Sequence, residues 1–161
     1  MTRRSLFAFL ASLGLIRQAL AAAPPAGAAT SIVPLRLDDA EWKKRLTSAQ
    51  YDVLRHEGTE RPHSSPLNGE KRKGLYHCAG CDLPLFSADM KFDSGTGWPS
   101  FFTTLPGAVL TKTDFKMVFP RTEYHCARCE GHQGHVFNDG PAPTGKRYCN
   151  NGLALRFVAA A

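Results

Sequence analysis

Cys149 sits in the run Arg147-Tyr148-Cys149-Asn150-Asn151 and is the one cysteine of five with no second cysteine near it in the chain. An isolated thiol is commonly a small buried side chain that does no chemistry. Here Arg147, two residues earlier, carries a cation that stabilises a thiolate, and Asn151, two residues later, falls on the same side of a strand with a hydrogen-bonding amide. His132 and His135, in Gly131-His132-Gln133-Gly134-His135, add two imidazoles that exchange protons near neutral pH. An H-x-x-H pair is also a known metal-binding spacing, but only Asp139 stands nearby as a further ligand. Together these residue types point to a nucleophilic thiolate served by proton donors.

The other four cysteines form two pairs, Cys78-Ala79-Gly80-Cys81 and Cys126-Ala127-Arg128-Cys129. Two residues between thiolates let both sulfurs turn toward one ion, and two such turns complete a tetrahedral Cys₄ shell for one structural Zn²⁺ per chain. A single pair would equally suit a redox dithiol, and two disulfides are the competing state in an oxidising compartment. The 44 residues between Cys81 and Cys126 exceed the gap of a compact zinc ribbon, so the metal is expected to clamp two distant parts of one sheet. Four thiolates leave no position for water, which makes the ion structural rather than a Lewis-acid catalyst.

These groups need elements to hold them. Trp42, Leu46, Ala49 and Val53 recur at helical spacing behind Asp38 and Asp39, either of which serves as an N-cap; Thr47-Ser48 is a place for the helix to break in two, and Gly58 a place for it to stop. Thr59 to Gly74 reads as a polar loop, its Lys71-Arg72-Lys73 run a solvated face. Beyond it the pattern is that of short strands, with β-formers from Ala108 to Phe119 and alternation through Leu153, Leu155 and Phe157, separated by turn clusters at Asn138-Asp139-Gly140-Pro141 and Pro143-Thr144-Gly145. The expected architecture is mainly β, with short N-terminal helices covering an antiparallel sheet core.

The chain has 161 residues, 43% of them hydrophobic and 21% charged, which suits one compact domain and excludes both a disordered chain and a polytopic membrane protein. Twenty basic against 14 acidic residues give +6, but Arg3, Arg4 and Arg17 all fall in the first 21 residues, where there is no acidic residue. Without them the charge is +3, too little to imply a nucleic-acid partner. Residues 1–23 read as an export signal: paired arginines, an apolar run of 12 residues from Ser5 to Ile16, and an Ala-x-Ala cleavage site. That run is too short to anchor the chain in a bilayer. Thr2-Arg3-Arg4-Ser5-Leu6-Phe7 resembles a twin-arginine signal, which exports folded, metal-loaded proteins to the bacterial periplasm; a general secretory signal and a mitochondrial presequence share its main features. Residues 24–37 follow as a flexible spacer, and the folded domain is expected over 38–161.

The stretches Phe92-Asp93-Ser94-Gly95-Thr96-Gly97-Trp98-Pro99-Ser100-Phe101, Gly131 to Pro141 and Pro143 to Asn151, in that order and with both C-x-x-C pairs, resemble the B-type methionine-R-sulfoxide reductase family. The resemblance runs from about Asp38 to Val158. It implies a fold of two antiparallel sheets, a structural zinc, and thiol-dependent reduction of the R epimer of methionine sulfoxide in oxidised proteins and peptides. It further implies Cys149 as nucleophile, His132 and His135 as proton donors, Trp98 packed against the substrate methyl, and Arg147, Asp139 and Asn151 as holders of the site's hydrogen bonds. The expected assembly is a monomer.

Two positions depart from the common family pattern. Many members carry a resolving cysteine within the Ser-Gly-x-Gly-Trp segment, where this chain has Thr96, and no other cysteine is free for that task. The expected cycle therefore uses one cysteine, with an external thiol or thioredoxin-like reductant acting on the sulfenic acid directly. His63 stands where the family usually has Phe. Two rivals are a zinc-stabilised binding module, which leaves the Arg147 to Asn151 cluster unexplained, and a stoichiometric redox sensor, which multiple turnovers would exclude.

Overall fold

The computed structural model describes residues 32–116 and 119–161. The export signal and most of the spacer expected at the N-terminus lie outside the described residues. The chain from Ser31 onward forms one compact unit. Among the described residues, no helix is long and apolar enough to cross a membrane.

Two short helices open the domain, α1 (Asp39–Arg45) and α2 (Ser48–His56). Asp38 caps α1 by accepting from the Glu41 N–H at 2.8 Å. Thr47 breaks the helical run and starts a capping box with Gln50, which explains why one amphipathic pattern yields two helices. Glu57, at φ 58°, ends α2 one residue before the expected Gly58. Trp42, Leu46, Val53 and Leu54 are buried beneath this layer.

Among the described residues nine strands follow: β1 (Gly74–Cys78), β2 (Pro84–Ser87), β3 (Lys91–Phe92), β4 (Ser100–Phe101), β5 (Val109–Asp114), β6 (Arg121–Cys126), β7 (His132–Phe137), β8 (Arg147–Asn150) and β9 (Leu155–Ala159). They form two antiparallel sheets, a three-stranded one in the order β2-β1-β9 and a six-stranded one in the order β3-β4-β8-β7-β6-β5. The β-forming run from Ala108 stops as a strand at Asp114, leaving Phe115 and Phe119 exposed. Residues 152–154, expected to begin the last strand, make a 3₁₀ turn instead. The sheets share an aromatic core in which Phe86 of β2 stacks on Phe101 of β4 with ring centres 4.0 Å apart, while Tyr76 and Tyr124 are both fully enclosed.

Candidate active site and metal cluster

The four paired cysteines converge. Their ligand sulfurs all lie within 4.8 Å of one another, and all four residues are buried. Cys78 Sγ stands 3.6 Å from Cys129 Sγ, and Cys81 Sγ stands 3.4 Å from Cys126 Sγ. Four sulfurs about 2.3 Å from a common ion are separated by roughly 3.8 Å, so the spacing fits one tetrahedral metal and not two disulfides. Each pair is built the same way. Cys78 and Cys126 end strands, and after each pair a residue in the left-handed region, Asp82 at φ 65° and Glu130 at φ 58°, donates its N–H back to the carbonyl of the first cysteine at 2.9 Å. Leu54 and Trp42 of the helices close over Gly80 between the first pair. Without a cation, the neighbouring side chains, Cys126 foremost, push the Cys78 thiol well above its ordinary value.

The cluster corrects one expectation. Cys78 belongs to the three-stranded sheet and Cys126 to the six-stranded one, so a metal here ties two sheets together, not two parts of one. The residues between the pairs carry β2 of the smaller sheet and β3, β4, β5 and most of β6 of the larger one.

Cys149 lies near the middle of the six-stranded sheet. Its register partners are Ser100 on β4 and His135 on β7, which places Ser100, Cys149 and His135 side by side on one face. Gly134 makes the pairing possible, because a Cβ there would stand 1.9 Å from the Cys149 carbonyl oxygen. A cleft of about 140 Å³ opens over this face, lined by Trp98, His135, Cys149 and Asn151 together with Thr59, Arg121 and Phe137. Half-buried Trp98 forms one wall and is fixed by donating its indole N–H to the Glu60 carbonyl at 3.1 Å. His63 packs against Gly97, which adopts φ 93° and has no room for a Cβ beside the His63 ring.

Burial is the largest influence on Cys149 and pushes its thiol above the ordinary value; Arg147 and the Thr96 hydroxyl act in the opposite direction without overcoming it. Thr96 thus stands beside Cys149, and its hydroxyl joins Ser94 at 2.8 Å, which in turn joins Ser100 at 2.7 Å. His135 is pushed the other way, below its ordinary value, first by burial, which favours the neutral imidazole.

His135 donates from Nε2 to the buried carboxylate of Asp114 at 2.7 Å, which leaves Nδ1 as the second ring nitrogen for proton exchange. Asp114 also accepts from Arg121 at 2.7 Å and from the Lys116 N–H at 2.8 Å, and these donors hold its carboxyl far below the usual range. Sequence reading did not select Asp114 or Arg121. They stand 21 and 14 positions before His135 and face each other across the turn end of the β5–β6 hairpin, whose pairing no local motif announces.

The remaining candidates do not all reach the cleft. His132 is almost fully buried behind the site, with its ring centre 5.5 Å from that of His135 and its Nδ1 2.9 Å from Glu123 Oε1. It borders a different hollow, which also includes Glu57, Lys112 and His125. Arg147 is occupied by Asp139 through two parallel hydrogen bonds of 2.9 and 2.8 Å, and its guanidinium lies over the Phe137 ring. Asp139 itself is exposed. Asn151 accepts from the Glu60 N–H at 3.0 Å and donates to the Gln133 carbonyl at 3.2 Å, so its amide clamps the loop bearing Glu60 to β7.

A family model described as the SelR domain matches residues 46–159. The chain is 54% identical over 120 residues to a peptide methionine sulfoxide reductase MsrB of Agrobacterium fabrum, covering 74% of this chain and 89% of that one. It is 55% identical over 120 residues to the protein of that name from Methanosarcina barkeri, covering 74% and 84%. To the chloroplastic peptide methionine sulfoxide reductase B1 of Oryza sativa it is 52% identical over 121 residues, covering 74% of this chain and 56% of the rice one. Among solved structures, the Mis18 "Yippee-like" domain gives a slight likeness, with a TM-score of 0.44 at 15% identity over 56% of this chain and 99% of that one.

Proposed function

The chain belongs to the SelR-domain family of peptide methionine sulfoxide reductases, and on that premise we propose that it reduces the R epimer of methionine sulfoxide in oxidised proteins and peptides, with Cys149 as the nucleophile. The observation that carries this reading is the placement of Cys149 beside His135 in a cleft walled by Trp98.

Cys149 rests as a thiol and His135 as a neutral base backed by Asp114. The thiol proton passes to His135 Nδ1, and the imidazolium formed is stabilised by the Asp114 carboxylate at Nε2. The thiolate attacks the sulfoxide sulfur while the imidazolium returns the proton to the sulfoxide oxygen, which makes that oxygen a competent leaving group. A bond forms between Cys149 Sγ and the substrate sulfur as the S–O bond breaks and the oxygen leaves as hydroxide; hydroxide then attacks Cys149 Sγ, the S–S bond breaks, methionine leaves as the thioether, and Cys149 is left as a sulfenic acid: the substrate sulfur gains two electrons and the cysteine sulfur loses two. The flat indole of Trp98 accepts the substrate methyl, and its fixed position relative to Cys149 selects one epimer by shape. Two equivalents of an external thiol then reduce the sulfenic acid, yielding water and a disulfide of the reductant. Cys78, Cys81, Cys126 and Cys129 hold one zinc ion that ties the sheets and takes no part in these steps. The first 23 residues act as an export signal to the periplasm.

Steady-state assays on the two separated epimers with dithiothreitol test this reading. The R epimer is reduced over many turnovers, and Cys149→Ser lowers the rate at least ~1000-fold. Equal activity of the serine variant, or reduction of neither epimer, overturns it.

A further inference from the structure

Gln133, between the two histidines on β7, is fully buried and touches both the metal cluster and the strand that carries Cys149. Its Nε2 donates to Cys78 Sγ at 3.4 Å. Its Oε1 accepts from Asn150 Nδ2 at 3.5 Å, and its backbone carbonyl accepts both the Asn151 N–H at 2.8 Å and Asn151 Nδ2 at 3.2 Å. Asn150 is oriented independently, since its Oδ1 accepts from the Tyr124 hydroxyl at 2.6 Å and its Nδ2 donates to the Asn151 carbonyl at 2.7 Å. That orientation presents an N–H to Gln133, so Gln133 turns its oxygen toward Asn150 and its NH₂ toward the sulfur.

We propose that Gln133 is a positioning residue that couples the Cys₄ cluster to the Cys149 site. It rests on the reading of that site as a sulfoxide-reducing one. The physical reason is that a metal-bound sulfur is an anionic acceptor, and a hydrogen bond to it from outside the coordination shell is charge-assisted. The donor in this case is not free to move. Its other end holds Asn150, and the same residue's carbonyl holds Asn151, whose side chain clamps the Glu60 loop and through it the Trp98 indole. Metal in the cluster therefore favours one placement of the residues following Cys149. By thermodynamic reciprocity, a substrate that favours the same placement holds the metal more tightly.

The test measures zinc release rather than turnover. Zinc-loaded Cys149→Ser protein, which binds substrate without consuming it, is mixed with excess chromogenic chelator, with and without saturating N-acetyl-methionine R-sulfoxide. The R-sulfoxide slows release by about fivefold. Adding Gln133→Met or Gln133→Leu, two variants close in volume, speeds release about tenfold and abolishes the effect of the sulfoxide. A residue needed only for packing would speed release without abolishing that effect. Release unaffected by the sulfoxide in the Cys149→Ser parent, or slowed equally in whichever Gln133 variant folds, overturns the proposal. Reduction of the R epimer by wild-type protein, assayed in parallel, separates these outcomes: with reduction present, only the coupling has failed, and with reduction absent, the reading of the site has failed.

Discussion

At the scale of single residues, the site depends on two groups whose protonation is set against their chemistry. In the proposed mechanism Cys149 loses a proton although burial raises its pKa, and His135 gains one although burial lowers its own. Asp114 reconciles them, since it raises the His135 pKa against the opposing effects of burial, Arg121 and His132. Replacing Asp114 by Asn removes that support, so the His135 pKa falls further. The expected result is a loss in kcat/KM of about 100-fold at neutral pH, with the acid limb of the pH profile displaced to lower pH. A full pH profile of Asp114→Asn checks this, and an acid limb that stays in place contradicts the role given to Asp114. Cys149 was legible from its own neighbours, because an Arg, an Asn and a lack of any partner cysteine mark a thiol for chemistry. Asp114 was not legible, because it reaches His135 through the β5–β6–β7 pairing, and that pairing is a property of the sheet. His132 shows the converse. Its spacing from His135 suggested two equivalent proton donors, yet an irregularity in the β6–β7 pairing leaves both on one face of the sheet, where His132 is buried against Glu123 and only His135 lines the cleft.

At the scale of elements, the helices and the cysteine cluster perform similar work, joining parts of the chain that strand pairing leaves separate. Glu57, at the left-handed end of α2, bonds Lys112 of β5 at 2.7 Å and also pairs with Lys116, and these lysines lower its carboxyl from 4.5 to about 2. A carboxylate with a lowered folded-state pKa stabilises the fold above its unfolded value, and that contribution fades as pH falls through the folded one. Glu57→Gln is expected to cost about 1 kcal/mol at pH 7, after discount for solvent screening, and nearly nothing below pH ~2. Urea titrations at both pH values read the difference. The cluster is the larger tie: stripping the metal with a chelator is expected to lower stability by at least about 5 kcal/mol, and metal analysis is expected to return one zinc per chain. Retention of full thermal stability by metal-free protein would contradict a clamp between the sheets. The two cysteine pairs were legible because ligand spacing is local. That they belong to different sheets was not, since sheet membership depends on β9 returning to pair with β1 across most of the chain.

At the scale of the whole molecule, the cysteine inventory decides the catalytic cycle. Four of five cysteines are gathered in one buried cluster, and the position beside Cys149 open to a second thiol is held by Thr96. The fold class was readable because turn clusters and short alternating runs recur along the chain. The split of nine strands between two sheets was not, since each strand is short enough to pair in several ways. With four cysteines in the cluster and none beside Cys149, the proposed cycle leaves the sulfenic acid to an external thiol. The most direct test is mass spectrometry of zinc-loaded protein after a single turnover on the R-sulfoxide without reductant, with a sulfenic-acid-specific trap present. Trapped Cys149 with all four cluster cysteines unmodified is the predicted result; an intramolecular disulfide that includes Cys149 would contradict it.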